Sequence, residues 1–185
     1  MMTNIFQGKL VRLRGVEPSD WEKHEQWDRD SEAARLGYEI PFPGSAASAR
    51  AWAEREAAKG VENDVFRFQI ETLDGALAGS LLTHHCDLRN GTFMYGISIL
   101  PQQQRKGCAS EAIRLVLRYF FEERRYQKCT VEVYSFNEPS QRLHESLGFT
   151  LEGRLRRMVY SGGEYHDTLL YGITKEEFAV QGLKP

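Results

Sequence analysis

The chain has few cysteines, and their spacing disfavours two common kinds of covalent scaffold. Its 185 residues include only Cys86, Cys108 and Cys129, an odd number with no Cys-x-x-Cys pair. A disulfide framework needs paired cysteines, and a zinc knuckle needs closely spaced ones. The sequence therefore predicts three free thiols.

Long apolar runs and a strong excess of charge are also absent. No segment approaches the roughly 20 apolar residues that cross a bilayer, and the first residues lack the charged start and apolar core of a secretion signal. We therefore expect a cytoplasmic protein with no membrane partner. The 24 Lys and Arg against 26 Asp and Glu give a net charge of -2, so we also expect no nucleic-acid partner.

The length and composition are those of one compact domain over residues 1–185, since 41% of the residues are hydrophobic and 27% are charged. The order of predicted strands and helices makes it an α/β domain. Alternating apolar and polar residues predict strands, and helical spacing of apolar residues predicts helices. The predicted order is strand, two helices, three strands, helix, strand, helix, two strands and a short last helix. The strands are expected near 10–14, 66–71, 77–82, 92–100, 128–134, 150–160 and 165–173, and the helices near 21–30, 46–59, 108–123, 139–147 and 175–178.

A phosphate-binding pattern joins the strand that Pro101 stops to the helix that begins near Cys108. The run reads Gln104-Arg105-Lys106-Gly107-Cys108-Ala109-Ser110-Glu111-Ala112. A helix N-terminus presents unpaired N–H groups and partial positive charge, and a glycine with small neighbours lets a pyrophosphate approach them. The sequence therefore predicts a site for a phosphorylated cofactor here.

The Gln-x-x-Gly-x-Ala pattern resembles the acyl-coenzyme A loop of the GCN5-related N-acetyltransferases (GNAT). Downstream, residues 131–149 resemble that family's strand, its Asn, its helix and its closing Gly-Phe. The Glu152-Gly153-Arg154 segment and residues 163–167 are similar to the branch that contains RimJ, RimL and the bacterial spermidine acetyltransferases. Together these signatures cover most of the chain from about Phe66 onward.

This resemblance implies a fold and a co-substrate. The implied fold is a mixed, mostly antiparallel seven-stranded sheet, split around acetyl-coenzyme A, with helices on both faces. The implied pantetheine contacts lie on the strand before the loop, and the loop backbone is expected to hold the pyrophosphate. The predicted cofactor-binding residues are Ile97, Ile99, Gln104, Arg105, Lys106, Gly107, Cys108, Ala109, Ser110 and Asn137. Asn137 has an alternative interpretation as the N-cap of the next helix.

The implied reaction needs an acid for the departing thiolate, and the family's usual tyrosine is replaced here by His144. A histidine has a pKa of about 6.5 and is able to donate near neutrality, although a histidine on a helix face is as often structural. Ser140, one turn earlier on the same face, is the second candidate acid, with capping as its alternative role.

The base is less clearly marked, because Met94 stands where many relatives carry a glutamate. Glu132 on the neighbouring strand is the candidate base, acting through water. The alternative interpretation is an outward, solvated glutamate, since glutamate is seldom buried.

Two further groups of residues suggest covalent catalysis or metal binding, and the sequence favours neither. Cys108 beside Lys106 invites an acyl-cysteine route, but it occupies the variable position of the loop and is expected to be a small packing residue. The run from His84 to Asp87 invites a metal, but adjacent residues of a strand point to opposite sides. We therefore predict no metal site.

The leading function is transfer of acetyl from acetyl-coenzyme A to a primary amine by direct attack in a ternary complex. A protein N-terminus, a polyamine or a small-molecule amine are the acceptors that the resemblance allows, and it also allows a homodimer. Glu32, Tyr38, Glu39 and Phe42 form a candidate polyamine pocket or ordinary surface. The arginines of the predicted sixth strand would attract a phosphate or an acidic partner, or would equally well discourage aggregation at a strand edge: Arg154, Arg156 and Arg157.

An alternative of a different class is a catalytically silent acyl-coenzyme A sensor or interaction module that keeps the loop but has lost its acid and base. A P-loop hydrolase is excluded, because Gly107 is not followed by the Lys and hydroxyl that such a loop requires.

Overall fold

The computed structural model describes residues 4–37 and 40–182, and their side chains as far as Val180. The strands are β1 (Val11–Arg14), β2 (Arg67–Thr72), β3 (Leu77–Asp87), β4 (Thr92–Ile99), β5 (Lys128–Tyr134), β6 (Thr150–Ser161) and β7 (Glu164–Thr174). The α-helices are α1 (Trp21–Asp28), α2 (Ser31–Gly37), α3 (Ala46–Ala58), α4 (Cys108–Arg118), α5 (Glu138–Ser146) and α6 (Lys175–Gly182). Short 3₁₀ turns cover Pro18–Asp20 and Pro101–Gln103, and a π turn covers Tyr119–Glu123.

The seven strands hydrogen-bond in the order β1-β2-β3-β4-β5-β7-β6, which confirms the predicted mixed, mostly antiparallel sheet. The pairs β1–β2, β2–β3, β5–β7 and β6–β7 are antiparallel, whereas β4 and β5 are parallel. The register of the parallel pair covers only Thr92–Met94 of β4. β5 continues to Tyr134, paired throughout with β7.

The described residues group into two compact units, one within 1–83 and 97–115, the other within 84–96 and 116–185. In the first unit, β1 alternates as predicted, with Val11 and Leu13 buried. Arg14 on its other face donates to both carboxylate oxygens of Asp20 at 2.8 Å and to Glu71 at 2.9 Å. This partly buried network ties the start of α1 to the sheet.

The second unit has an aromatic core. Phe93 of β4 stacks on Phe120, with ring centroids 4.2 Å apart, and also contacts Phe121 and Tyr126. All four rings are at most 2% exposed. The helical spacing of apolar residues after Cys108 predicted the burial of Phe120, although the last turn, Tyr119–Glu123, is π-helical.

An extra helix and longer elements, among them α6, which continues past Phe178 to Gly182, differ from the prediction. A third helix, α2, lies between the two helices expected before β2, because the Asp30 side chain accepts the Ala33 N–H at 3.0 Å and starts a new helix. β3 also runs five residues past Leu82, to Asp87. Among the described residues, no helix is both long and apolar enough to span a membrane.

Candidate active site

The loop after β4 carries a row of backbone donors. Within the described chain, the backbone N–H groups from Arg105 to Gly107 and those of Ala109 and Ser110 have no hydrogen-bond partner. The loop reverses direction through two left-handed residues, Arg105 at φ +60° and Gly107 at φ +85°. Successive N–H groups in such a turn, followed by a helix N-terminus, form a concave anion site.

Side chains of the same unit hold this loop in place. The Gln104 amide donates to the Ile99 carbonyl at 3.2 Å, which ties the loop to the end of β4. A Cβ on Gly107 would lie 3.0 Å from Leu10 Cδ1, so the backbone is already closely packed there. Arg105 and Lys106 are exposed. Their positive charges are therefore available to a phosphate.

Glu111 is a supporting residue that sequence reasoning missed. Its carboxylate accepts the N–H groups of Lys9, Leu10 and Val11 at 2.7–2.8 Å. Glu111 stands in the first turn of α4, where negative charge is favourable. The sequence feature that could have identified Glu111 is an acidic residue in the first turn of a helix. Its three hydrogen-bond donors could not be identified in this way, because they lie about 100 residues away in sequence. This contact fixes the start of α4.

Cys108 is a packing residue in this structure. It is 4% exposed, and burial raises the pKa of its thiol above the ordinary value. A thiol with a raised pKa is a weak nucleophile at neutral pH. The geometry therefore gives no support to an acyl-cysteine route.

In the second unit, Asn137 caps α5. Its Oδ1 accepts the Ser140 N–H at 3.1 Å, and Pro139 follows in the first turn. The capping interpretation thus describes what the Asn137 oxygen does in this structure, and its contact with a cofactor stays a prediction.

His144 lies on α5 and is 2% exposed, with both ring nitrogens hydrogen-bonded. Nδ1 lies 2.8 Å from the Ser140 carbonyl oxygen, which only accepts, so Nδ1 carries the proton. Nε2 lies 3.0 Å from the Tyr95 hydroxyl and therefore accepts from it. Burial lowers the pKa of His144, so the ring is neutral near pH 7.

The structure brings two of the three predicted catalytic side chains together. Ser140 Oγ lies 3.4 Å from His144 Nδ1, and Ser140 is half-buried whereas His144 is fully covered. Glu132 points to solvent from β5. Met94, on β4, is half-buried.

Tyr95 is the second residue that sequence reasoning missed. It is 3% exposed, and burial raises the pKa of its phenol well above 10. The phenol therefore stays protonated and donates to His144. Its alternation with buried Phe93 indicated an inward side chain, but only the tertiary structure sets it against α5.

The His84 and His85 rings meet, contrary to the expectation for adjacent strand residues. His85 adopts φ +48°, and the two Nδ1 atoms lie 2.6 Å apart. Within residues 4–37 and 40–182, no three His, Cys, Asp or Glu side chains group as metal ligands would.

The candidate polyamine pocket is only partly described. Glu32 forms an ion pair with Arg35 at 2.8 Å, and Phe42 is 97% exposed. Tyr38 and Glu39 lie outside the described residues.

Known proteins and family models share sequence similarity with most of this chain. The family model for the acetyltransferase (GNAT) domain matches residues 11–150. The SPbeta prophage-derived uncharacterized N-acetyltransferase YokL of Bacillus subtilis is 40% identical over 180 residues, which are 97% of this chain and 98% of that protein.

More distant relatives include spermidine acetyltransferases. The spermidine N(1)-acetyltransferase of Escherichia coli K12 is 23% identical over 95% of this chain and 91% of its own length. The structure of spermidine N-acetyltransferase from Vibrio cholerae in complex with CoA and spermine superimposes with a TM-score of 0.78 at 21% identity. That match covers 91% of this chain and 98% of the other and shows a shared fold.

Proposed function

The chain belongs to the GNAT acetyltransferase family, and on that premise we propose that it transfers acetyl from acetyl-coenzyme A to a primary amine by direct attack in a ternary complex. The single observation that carries the proposal is the row of unpartnered N–H groups on residues 105–107, 109 and 110. A pyrophosphate is one of the anionic groups that such a row binds.

The residues present fit acetyl-coenzyme A. We assign the pyrophosphate to the loop backbone from Gln104 to Ser110, with Arg105 and Lys106 adding charge. Ile97 and Ile99 are assigned to the pantetheine, and the Asn137 amide to the same arm. When bound, the thioester supplies an activated acetyl group.

We propose that Ser140 donates the proton that the departing thiolate needs, and that the neighbouring His144 supports Ser140 in this role. Ser140 Oγ is half-buried and 3.4 Å from the neutral imidazole, whereas both nitrogens of His144 are already engaged. The C–N bond forms as the C–S bond breaks. Ser140 gives its hydroxyl proton to the sulfur and regains one from the acylated nitrogen, so the proton balance closes.

For the base, we propose that Glu132 acts through water. It is exposed on β5, where water reaches it freely. An amine that arrives as an ammonium ion must lose one proton before it attacks, and a solvated carboxylate relays that proton to bulk water.

The test measures thiol release from acetyl-coenzyme A with polyamines, amino acids, short peptides and aminoglycosides. We expect turnover with one class, and Ser140→Ala should lower kcat at least about tenfold without changing acetyl-coenzyme A affinity. Ser146→Ala is the matched control, because its exposed hydroxyl on the same helix only donates to the Leu143 carbonyl. Binding of acetyl-coenzyme A without turnover of any amine or protein would favour the sensor alternative.

A further inference from the structure

The β6–β7 hairpin holds one arginine in a strained backbone conformation. The register between the two strands shifts between Leu155 and Val159. Inside this bulge Arg157 adopts φ +56°, the left-handed region that side chains other than glycine rarely occupy. Strain of this kind persists only when the surroundings enforce it, and it concentrates at functional sites.

Two neighbours on β7 enforce the conformation of Arg157. Its N–H donates to Asp167 Oδ1 at 2.8 Å, and its guanidinium carbon lies 4.8 Å from the centroid of the Tyr165 ring. The other oxygen of Asp167 pairs with Arg154. The guanidinium of Arg157 is therefore held over an aromatic face, while both carboxylate oxygens of Asp167 already accept hydrogen bonds from other donors.

The hairpin as a whole balances three arginines against Glu152, Glu164 and Asp167, but the charges of Arg156 and Arg157 both stand at the bulge itself. Within the part of the chain that the structure describes, neither Arg156 nor Arg157 has an ion pair, and both are exposed. A surface arginine that only discourages aggregation needs no stacking partner and no strained backbone. A planar guanidinium held on an aromatic ring is suited to binding a carboxylate through two parallel hydrogen bonds.

This bulge is fixed to the part of the second unit that carries the candidate acid. Ser135 donates its N–H to the Asp167 carbonyl at 2.9 Å, and its Oγ accepts the Asp167 N–H at 3.2 Å. Asn137 and α5, with Ser140, follow Ser135 directly. The arginine is thus anchored at the end of β5, from which the helix with the proposed proton donor begins.

We propose that Arg157 recognises an anionic group on the acceptor, so that the substrate is an amine bearing a carboxylate, such as an acidic peptide or an amino acid. This inference rests on the proposed acetyl transfer and names the class of its acceptor. A polyamine, which carries only positive charge, is disfavoured by Arg156 and Arg157 together. The exposed Tyr160 and Tyr165 rings, 5.0 Å apart, offer apolar area beside the charge.

The test uses peptide acceptors that differ only by Asp or Asn at the second residue, together with spermidine. Thiol release should give a higher kcat/KM for the Asp peptide than for its Asn counterpart or for spermidine. Arg157→Gly should raise KM for the Asp peptide about tenfold or more, with kcat and the Asn peptide little changed. Glycine suits a positive φ, so this variant should unfold at no lower temperature than the native protein.

Controls separate this inference from the function on which it rests. Arg89→Ala, an exposed arginine in the β3–β4 turn, should leave the Asp preference intact. Equal kcat/KM for the Asp and Asn peptides, a preference for spermidine, or an unchanged KM in Arg157→Gly would each overturn the inference while acetyl transfer stands. If no acceptor causes thiol release from acetyl-coenzyme A, calorimetry measures the affinities of the Asp and Asn peptides with coenzyme A present. Tighter binding of the Asp peptide would support the role of Arg157, and equal affinities would reject it.

Discussion

The loop after β4 and the cluster of His144, Ser140 and Tyr95 present different kinds of chemical group. The loop offers backbone N–H groups, is mostly exposed, and depends on left-handed φ angles at Arg105 and Gly107. The cluster offers side chains, is mostly buried, and depends on the hydrogen bond that His144 donates to the Ser140 carbonyl and on the one that it accepts from Tyr95. A site made of backbone donors tolerates most side-chain substitutions, whereas the position of a buried, hydrogen-bonded imidazole tolerates few substitutions.

This contrast predicts which changes affect stability and which affect binding. A substitution in the cluster removes buried contacts and leaves polar atoms unpaired, so its cost is mainly in folding. A substitution in the loop changes backbone geometry at an exposed turn, so its cost is mainly in ligand affinity.

The largest expected effect is that of His144→Ala. It leaves a cavity and strands the buried Tyr95 hydroxyl, so we expect a loss of about 3 kcal/mol in the free energy of unfolding. Denaturant titration measures this. Arg142→Ala on the exposed side of the same helix should cost less than about 0.5 kcal/mol, since it only breaks a surface ion pair with Glu138. Equal losses in the two variants would contradict the buried assignment of His144.

The next effect is that of Gly107→Val on cofactor affinity. Valine at φ +85° is strained by about 1–2 kcal/mol and also crowds Leu10, so the donor row should distort and acetyl-coenzyme A affinity should fall at least about tenfold. Gly75→Val is the matched control, because Gly75 has φ +92° and open space around it. Calorimetry should find normal affinity in that control, and a parallel loss there would remove the case for the loop.

The smallest effect is a pH dependence of stability. Burial lowers the pKa of His144 in the folded protein below its unfolded value of about 6.5. As pH falls through that value the unfolded chain takes up a proton that the folded chain refuses, so stability decreases. The free energy of unfolding should therefore drop more between about pH 7.5 and about pH 5 in the native protein than in His144→Phe. Burial also lowers the pKa of His24, which contributes equally to both proteins. Parallel curves would show that His144 is not held neutral.

Local patterns explain why much of the architecture could be predicted. The alternation in β1, the turn at Gly162 and Gly163, and the apolar stripe of α4 are each set by neighbours in sequence, and the structure shows all three. The helix α2 escaped prediction because Asp30 was not recognised as an N-cap.

Long-range partners could not be predicted in this way. Glu111 finds its three donors in Lys9, Leu10 and Val11, and Tyr95 finds His144 across 49 residues. His85 leaves the strand pattern through a positive φ that no neighbouring residue type required.

The sequence by itself determined the family resemblance, the strand and helix order around the loop, and the backbone donor row, because periodicity and helix-terminus chemistry act over a few residues. Only the tertiary structure decided that His144 is buried and neutral and that Tyr95 and Glu111 are supporting residues. It also decided that Arg157 lies over the Tyr165 ring, beside an Asp167 carboxylate that already accepts hydrogen bonds on both oxygens. Those properties depend on which distant side chains share a desolvated space, and burial and pairing set the charge and proton position of each group.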